Sequence, residues 1–342
     1  MRPYIKRQLR QIFLFAASLV LPMLACQSAK AEVVLESDPV IEGAPKAHYY
    51  RWQDNSQKPK GVAIALHGLI MHGRVYDRLA HELTDMGFVV IAPDLRGYGQ
   101  YSQEETSAAE HKVLYDKSYA DICQLTKAVR NQYPDTPLFL IGESLGAGMA
   151  IRVASEHGKL VDGIVLSSPA IKARLHINRR VVKDLSMLLV HPKREVDLSP
   201  YIKEFSSESA EIANGALQDP LVRKSLPPSD IFRTAFLISK IKNFARKIPA
   251  DMPVLIIQGD QDRMLKCNGV VTLISRLKST DQTVRWFSGI GHILIETDHI
   301  LPETIMTLRS WLTEKTNTQK ADQTAMVSKA RFKAVARRLG HS

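Results

Sequence analysis

Gly142-Glu143-Ser144-Leu145-Gly146 sets one hydroxyl between two glycines at a spacing that suits a sharp turn. A serine hydroxyl is a weak nucleophile, so it must stand exposed beside a base before it can attack a carbonyl. A strand that turns abruptly into a helix provides that exposure, with glycines where side chains would collide. The apolar run Leu138-Phe-Leu-Ile141 reads as that strand, and Ala147-Gly-Met-Ala-Ile-Arg-Val-Ala154 as that helix. A base and an acid to orient it are then expected on loops after later strands, in the order acid, then histidine. Val254-Leu-Ile-Ile257 runs into Gln258-Gly-Asp-Gln-Asp262-Arg263, and Thr283-Val-Arg-Trp-Phe287 runs into Ser288-Gly-Ile-Gly-His292.

These positions predict Ser144 as nucleophile, Asp262 as acid and His292 as base. Asp260 is a rival acid; Asp262 is preferred because it lies farther from the strand end, leaving Asp260 to brace the turn through local hydrogen bonds. His299 is a rival base, but it falls at the start of the final helix. The oxyanion of a tetrahedral intermediate needs preset donors. The backbone N–H groups of Leu145 and of Leu69, which follows His67-Gly68 at a strand end, are the candidates. His67 is assigned a structural role in that loop. Acyl transfer of this kind requires no metal and no organic cofactor.

The elements around these residues alternate. Gly61-Val-Ala-Ile-Ala-Leu66, Phe88-Val-Val-Ile-Ala92, Leu138 to Ile141, Ile164 to Leu166, Val254 to Ile257 and Thr283 to Phe287 read as short buried strands. Helical spacing separates several of them, with Val75, Leu79, Leu83 and Met86 on one face and Tyr119, Ile122, Thr126 and Val129 on another. That rhythm predicts an α/β fold with a mostly parallel central sheet flanked by helices. Residues 170–250 break it. They carry apolar stripes at helical spacing, Val181, Leu185, Leu188 and Leu189, then Ile231, Ala235, Phe236 and Ile238. Such an insertion is expected to cap the carboxyl ends of the strands, where ligands bind in open α/β sheets.

The predicted organisation is thus a leader over 1–31, core over 32–169, cap over 170–250, core over 251–313 and a basic, flexible tail over 314–342. The leader has basic residues up to Arg10, an apolar run from Ile12 to Ala25 and the small-residue site Ala29-Lys30-Ala31, the parts of an export signal. The run is short for a membrane span of ~20 residues. Export to the periplasm or medium is expected. Met23-Leu24-Ala25-Cys26 offers the alternative of a lipoprotein anchored at Cys26. In the tail, Phe332, Val335 and Leu339 fall at helical spacing and give an alternative membrane contact. Cys123 and Cys267 make no disulfide framework and are expected to be free and buried.

The formal charge is +11, with hydrophobic residues at 45% and charged residues at 24%. The charge concentrates in the leader and the tail, which leaves the body close to neutral. With no nucleic-acid-binding motif or phosphate loop, a nucleic-acid partner is excluded.

His67-Gly68-Leu69, Asp94-Leu-Arg-Gly-Tyr-Gly-Gln100, Gly142 to Gly148, Ser167-Ser-Pro169, Asp219-Pro-Leu221 and Gly259-Asp-Gln-Asp262-Arg263 resemble the monoacylglycerol lipase and lysophospholipase family of α/β hydrolases. His292-Ile-Leu-Ile-Glu296 is similar to its histidine loop. The resemblance runs from about Ala47 to Leu312, with Tyr101 and the cap departing from the pattern. It implies the same triad, Ser144, Asp262 and His292, and the same oxyanion donors, Leu69 and Leu145. It also implies a helical cap over an acyl pocket, and an acyl ester or lipid substrate cleaved through an acyl-enzyme. Ser144 excludes family chemistries that use a carboxylate nucleophile. Thioester or peptide cleavage by the same triad, and a non-catalytic binding protein, are the alternative readings.

Overall fold

The computed structural model describes residues 33–103, 112–174 and 194–339, with side chains as far as residue 321. The expected leader over 1–31, with Cys26, and the stripe of Val181, Leu185, Leu188 and Leu189 lie outside the described residues. So do the tail side chains Phe332, Val335 and Leu339.

Eight strands form one sheet. They are β1 (Val33–Ser37), β2 (Tyr49–Asp54), β3 (Gly61–Leu66), β4 (Phe88–Pro93), β5 (Leu138–Glu143), β6 (Gly163–Ser167), β9 (Val254–Gly259) and β10 (Gln282–Phe287), arranged as β1-β2-β4-β3-β5-β6-β9-β10. From β4 to β10 every pairing is parallel, and β1 and β2 add an antiparallel edge. The six strands expected from apolar runs are present. The antiparallel edge was not foreseen, because Tyr-Tyr-Arg-Trp-Gln-Asp in β2 offers no continuous apolar run.

Successive side chains of a strand point to opposite faces, so each central strand feeds two cores. Val62, Ile64 and Leu66 of β3 pack below one set of helices, while Ala63 and Ala65 pack below the other. In β5, Leu138 and Leu140 join the first core, and Phe139 and Ile141 the second. Helices α1 (Asp77–Asp85), α2 (Tyr115–Gln132), α3 (Leu145–His157), α7 (Asn268–Ile274) and α8 (Pro302–Leu339) cover the faces. The predicted stripes on α1 and α2 face inward: Leu79 and Leu83 are buried, as are Ile122, Thr126 and Val129.

Between β6 and β9 the insertion holds β7 (Val196–Asp197), α4 (Ser199–Phe205), α5 (Ala210–Gln218), β8 (Ser225–Leu226) and α6 (Pro228–Phe244), with β7 and β8 paired antiparallel. Of the stripe expected on α6, only Ile238 packs against the core, half-buried, and the rest faces outward. Ile231 and Phe236 are exposed and Ala235 with them, whereas Asp230, Thr234, Leu237 and Ile241 are buried. Polar anchoring decides that rotation: Asp230 accepts from the Val113 N–H at 3.2 Å, and Thr234 shares a hydrogen bond with the Tyr115 hydroxyl at 2.6 Å. Ile241 then fills the space over Gly148, where a Cβ would stand 2.3 Å from its Cδ1.

The tail also differs from expectation. Helix α8 continues unbroken from Pro302 to Leu339 rather than ending near Leu312 in a flexible segment. No proline or glycine interrupts the sequence between 303 and 339, and residues that favour helix fill it. Cys123 and Cys267 are free as expected, but half-buried rather than buried.

The Phe139 ring lies between Phe88 and Trp311, with centroids 6.1 and 5.9 Å away. Phe139→Ala is expected to lower stability by about 3–5 kcal/mol, read from the shift of the denaturant midpoint.

Candidate active site

Ser144 follows the last residue of β5 directly, and α3 begins at Leu145. Its φ of 54° and ψ of −113° lie in a region that residues with a side chain seldom occupy. The strain persists because its surroundings determine it. The Ser144 N–H donates to the Ser167 carbonyl at 2.9 Å, and its own carbonyl accepts from Ala170 at 3.1 Å. The flanking glycines are obligatory. A Cβ on Gly146 would stand 1.7 Å from the Leu66 carbonyl oxygen, and one on Gly142 would stand 2.4 Å from the Gly146 carbonyl carbon.

Parallel register brings the loops after β5, β9 and β10 to one end of the sheet: Glu143 pairs with Ser167, Ser167 with Ile257, and Gly259 with Phe287. His292 Nδ1 meets Asp262 Oδ2 at 2.8 Å, and both residues are buried. Asp262 is itself held by the N–H groups of Met264 and Leu265, each at 2.8 Å, and by Gln258 at 3.0 Å. Burial alone would raise its carboxyl, but the facing imidazole and these donors hold it below the ordinary carboxylate range. For His292 burial favours the neutral ring. The Asp262 carboxylate outweighs it, and with help from Glu143 the imidazole sits above its ordinary value.

Ser144 and His292 line one cavity of about 110 Å³, together with Leu69, Ile70, Tyr201, Ile202 and Met264. No hydrogen bond joins Ser144 to His292 among the described residues; such contacts commonly tighten only when substrate is bound. The N–H groups of Leu69 and Leu145 have no acceptor among the described residues. Ile70 beside Leu69 has a φ of 65°, and its carbonyl is pinned by the Arg223 N–H at 2.9 Å.

The rivals fall away by position. Asp260 accepts from the Gly289 N–H at 2.7 Å and the Ser288 hydroxyl at 3.2 Å, so it braces the loop that carries His292 rather than the histidine itself. His299 lies 3.4 Å from Glu211 and does not line the Ser144 cavity. His67 is fully buried. Its Nδ1 bonds the Gly68 carbonyl at 2.8 Å and its Nε2 accepts from the Leu95 N–H at 2.9 Å, which fixes the neutral tautomer. Burial pushes its pKa down to about 3, so it braces the loop and carries no charge.

Two carboxyl groups near the site were not singled out from sequence. Glu143 is buried and accepts from the Ser167 hydroxyl and from the N–H groups of Leu294 at 2.9 Å and Glu296 at 3.0 Å. Glu296, also buried, accepts from the Gly68 N–H at 2.6 Å and shares a hydrogen bond with the Tyr76 hydroxyl at 3.0 Å. Burial pushes both up, and for Glu296 the neighbouring Glu143 pushes further. The available signal was a lone acid ending an apolar strand, and a second acid four residues after the histidine.

A family model described as serine aminopeptidase, S33 (Hydrolase_4) matches residues 57–298. The chain belongs to that family. The mouse monoglyceride lipase is 26% identical over 272 residues, covering 78% of this chain and 87% of its own. A monoacylglycerol lipase of Mycolicibacterium smegmatis is 25% identical, covering 73% and 87%. Among solved structures, the monoacylglycerol lipase of Paleococcus ferrophilus superposes with a TM-score of 0.61 at 22% identity, covering 79% of this chain and all of its own. These likenesses agree with the α/β-hydrolase architecture built above.

The raised imidazole gives a signed expectation for this family member. A base at His292 works only as the neutral ring, so with that role kcat/KM should fall as pH drops through a value above 6.5, the ordinary imidazole figure. Asp262→Asn should move that limb to lower pH and reduce kcat by about 10⁴-fold; a pH–rate profile of both proteins checks it.

Proposed function

We propose that this chain is a carboxylic-ester hydrolase that releases the acyl chain of monoacylglycerols through an acyl-enzyme on Ser144. The observation that carries the reading is one cavity shared by a strained, half-exposed serine and a buried histidine–aspartate pair. In the reaction His292 Nε2 takes the Ser144 proton as Oγ bonds to the ester carbonyl carbon. The carbonyl electrons move onto oxygen, where the Leu69 and Leu145 N–H groups stabilise the charge, worth about 3–4 kcal/mol for one such donor. The oxyanion then re-forms the carbonyl, the ester C–O bond breaks, and His292 protonates the leaving alkoxide. A water deprotonated by His292 releases the acid and restores Ser144. Asp262 keeps the imidazole tautomer and stabilises the imidazolium.

The substrate class rests on two supports. The cavity beside Ser144 is walled mainly by apolar side chains, which suits an acyl chain. Relatives that match most of the chain are named as lipases of monoglycerides. A second reading, aminopeptidase, is favoured by the carboxylates of Asp77 and Asp298 in the adjoining cavity, which would attract an ammonium group.

Hydrolysis of monoacylglycerols of increasing chain length, beside amino-acid p-nitroanilides, separates the two. Long-chain glyceryl esters should be cleaved with kcat reduced by about 10⁶-fold in Ser144→Ala; cleavage confined to the anilides would overturn the lipase reading. The leader-like segment 1–31 supports export as part of this proposal. An intact mass for the mature protein that begins at Glu32 is expected, and a lipidated species beginning at Cys26 would replace it with an anchored form.

A further inference from the structure

Next to the small Ser144 cavity lies a larger one of about 550 Å³ whose walls mix charged and apolar side chains. Four residues line both: Met71, Ala216, Ile293 and Glu296. Glu296 alone among them is polar. Any ester whose acyl half occupies the apolar slot and whose alcohol half occupies the larger chamber must pass it.

The two oxygens of Glu296 are not equivalent. Oε1 is occupied by the Gly68 N–H and the Tyr76 hydroxyl. Oε2 has no partner among the described residues and, like Ser144, lies against the open side of Gly68. A Cβ built on Gly68 would stand 3.0 Å from that oxygen and 3.5 Å from Ser144 Cβ, so the two groups flank one point. Burial, and then the Glu143 carboxyl beside it, push its pKa well above the ordinary carboxylate range, which favours the neutral form. A neutral carboxyl carries one O–H donor. The Tyr76 hydroxyl spends its one proton on the Leu66 carbonyl at 2.7 Å, so the Glu296 proton lies on Oε1 toward the Tyr76 oxygen and Oε2 is left as an open acceptor.

We propose that Glu296 is a specificity-determining residue that hydrogen-bonds through Oε2 to a hydroxyl on the alcohol half of the substrate, selecting esters of polyols over esters of simple alcohols. The inference rests on the ester-hydrolase reading above. The chamber agrees with a neutral hydroxylated group rather than a phosphorylated one. Asp77, Glu211, Asp219 and Asp298 line it against the single guanidinium of Arg74, with Asp219 taken up by His72 at 2.9 Å.

The test compares a glyceryl monoester with the propyl ester of the same fatty acid, which keeps three carbons and lacks the hydroxyls. Wild type, Glu296→Gln and Glu296→Leu are measured on both, with the ratio of kcat/KM as the readout. That ratio cancels any general damage to the oxyanion loop that Glu296 also supports. Wild type should prefer the glyceryl ester, and Glu296→Leu should cut the preference roughly tenfold, chiefly through KM, as expected for one lost hydrogen bond. Glu296→Gln, neutral and still able to bond a hydroxyl that both donates and accepts, should keep it within about threefold. Should Glu296→Leu fail to fold, Glu296→Met, of similar length, gives the same readout.

A wild-type preference that survives unchanged in the apolar variants overturns this inference alone. A wild type that cleaves both esters equally overturns it too, while leaving ester hydrolysis standing. A wild type inactive on both esters removes the reading beneath it.

Discussion

One buried carboxyl group holds the site together. Glu143 is the last residue of β5, and its side chain gathers the Ser167 hydroxyl from β6 and backbone N–H groups from the loop that carries His292. The nucleophile is covalently next to it, so the group that fixes the position of Ser144 also fixes the loop of its base. Inside the protein such hydrogen bonds are strong, and leaving any of these donors unpaired is costly. Ser168 adds a second tie, donating to the His292 carbonyl at 2.7 Å. The serine, acid and histidine lie far apart in sequence, and these buried contacts make their spacing a property of the sheet rather than of flexible loops.

Much of this was legible in the amino-acid sequence, for a definite reason. A parallel sheet covered on both faces needs continuous apolar strands, and those at 61–66, 88–92 and 138–141 carry no competing signal. The turn at 142–146 could be read because both glycines answer to hard steric limits. Asp262 and His292 stood out because each lies on the loop after a strand that was itself clear.

Where polar contacts decide, the reading failed. Apolar periodicity on α6 pointed to Ile231, Ala235 and Phe236, yet the helix is turned by Asp230 and Thr234 toward partners in residues 113–115. Those partners are more than a hundred positions away, so no local pattern reveals them. The β1–β2 edge was hidden for a related reason: its strands are only partly buried and mix apolar, aromatic and charged side chains. Glu143 and Glu296 were passed over because an isolated acid in sequence looks like surface, and only the folded chain shows that each is buried among donors.

The backbone of Ser144 has a consequence for how this protein can change over time. A glycine would occupy φ 54°, ψ −113° without the cost of about 1–3 kcal/mol that a side chain incurs there. Selection for stability alone would therefore replace the nucleophile and leave a sturdier, inert protein. The serine persists only under selection for what it does, and stabilising substitutions must accumulate elsewhere in the chain.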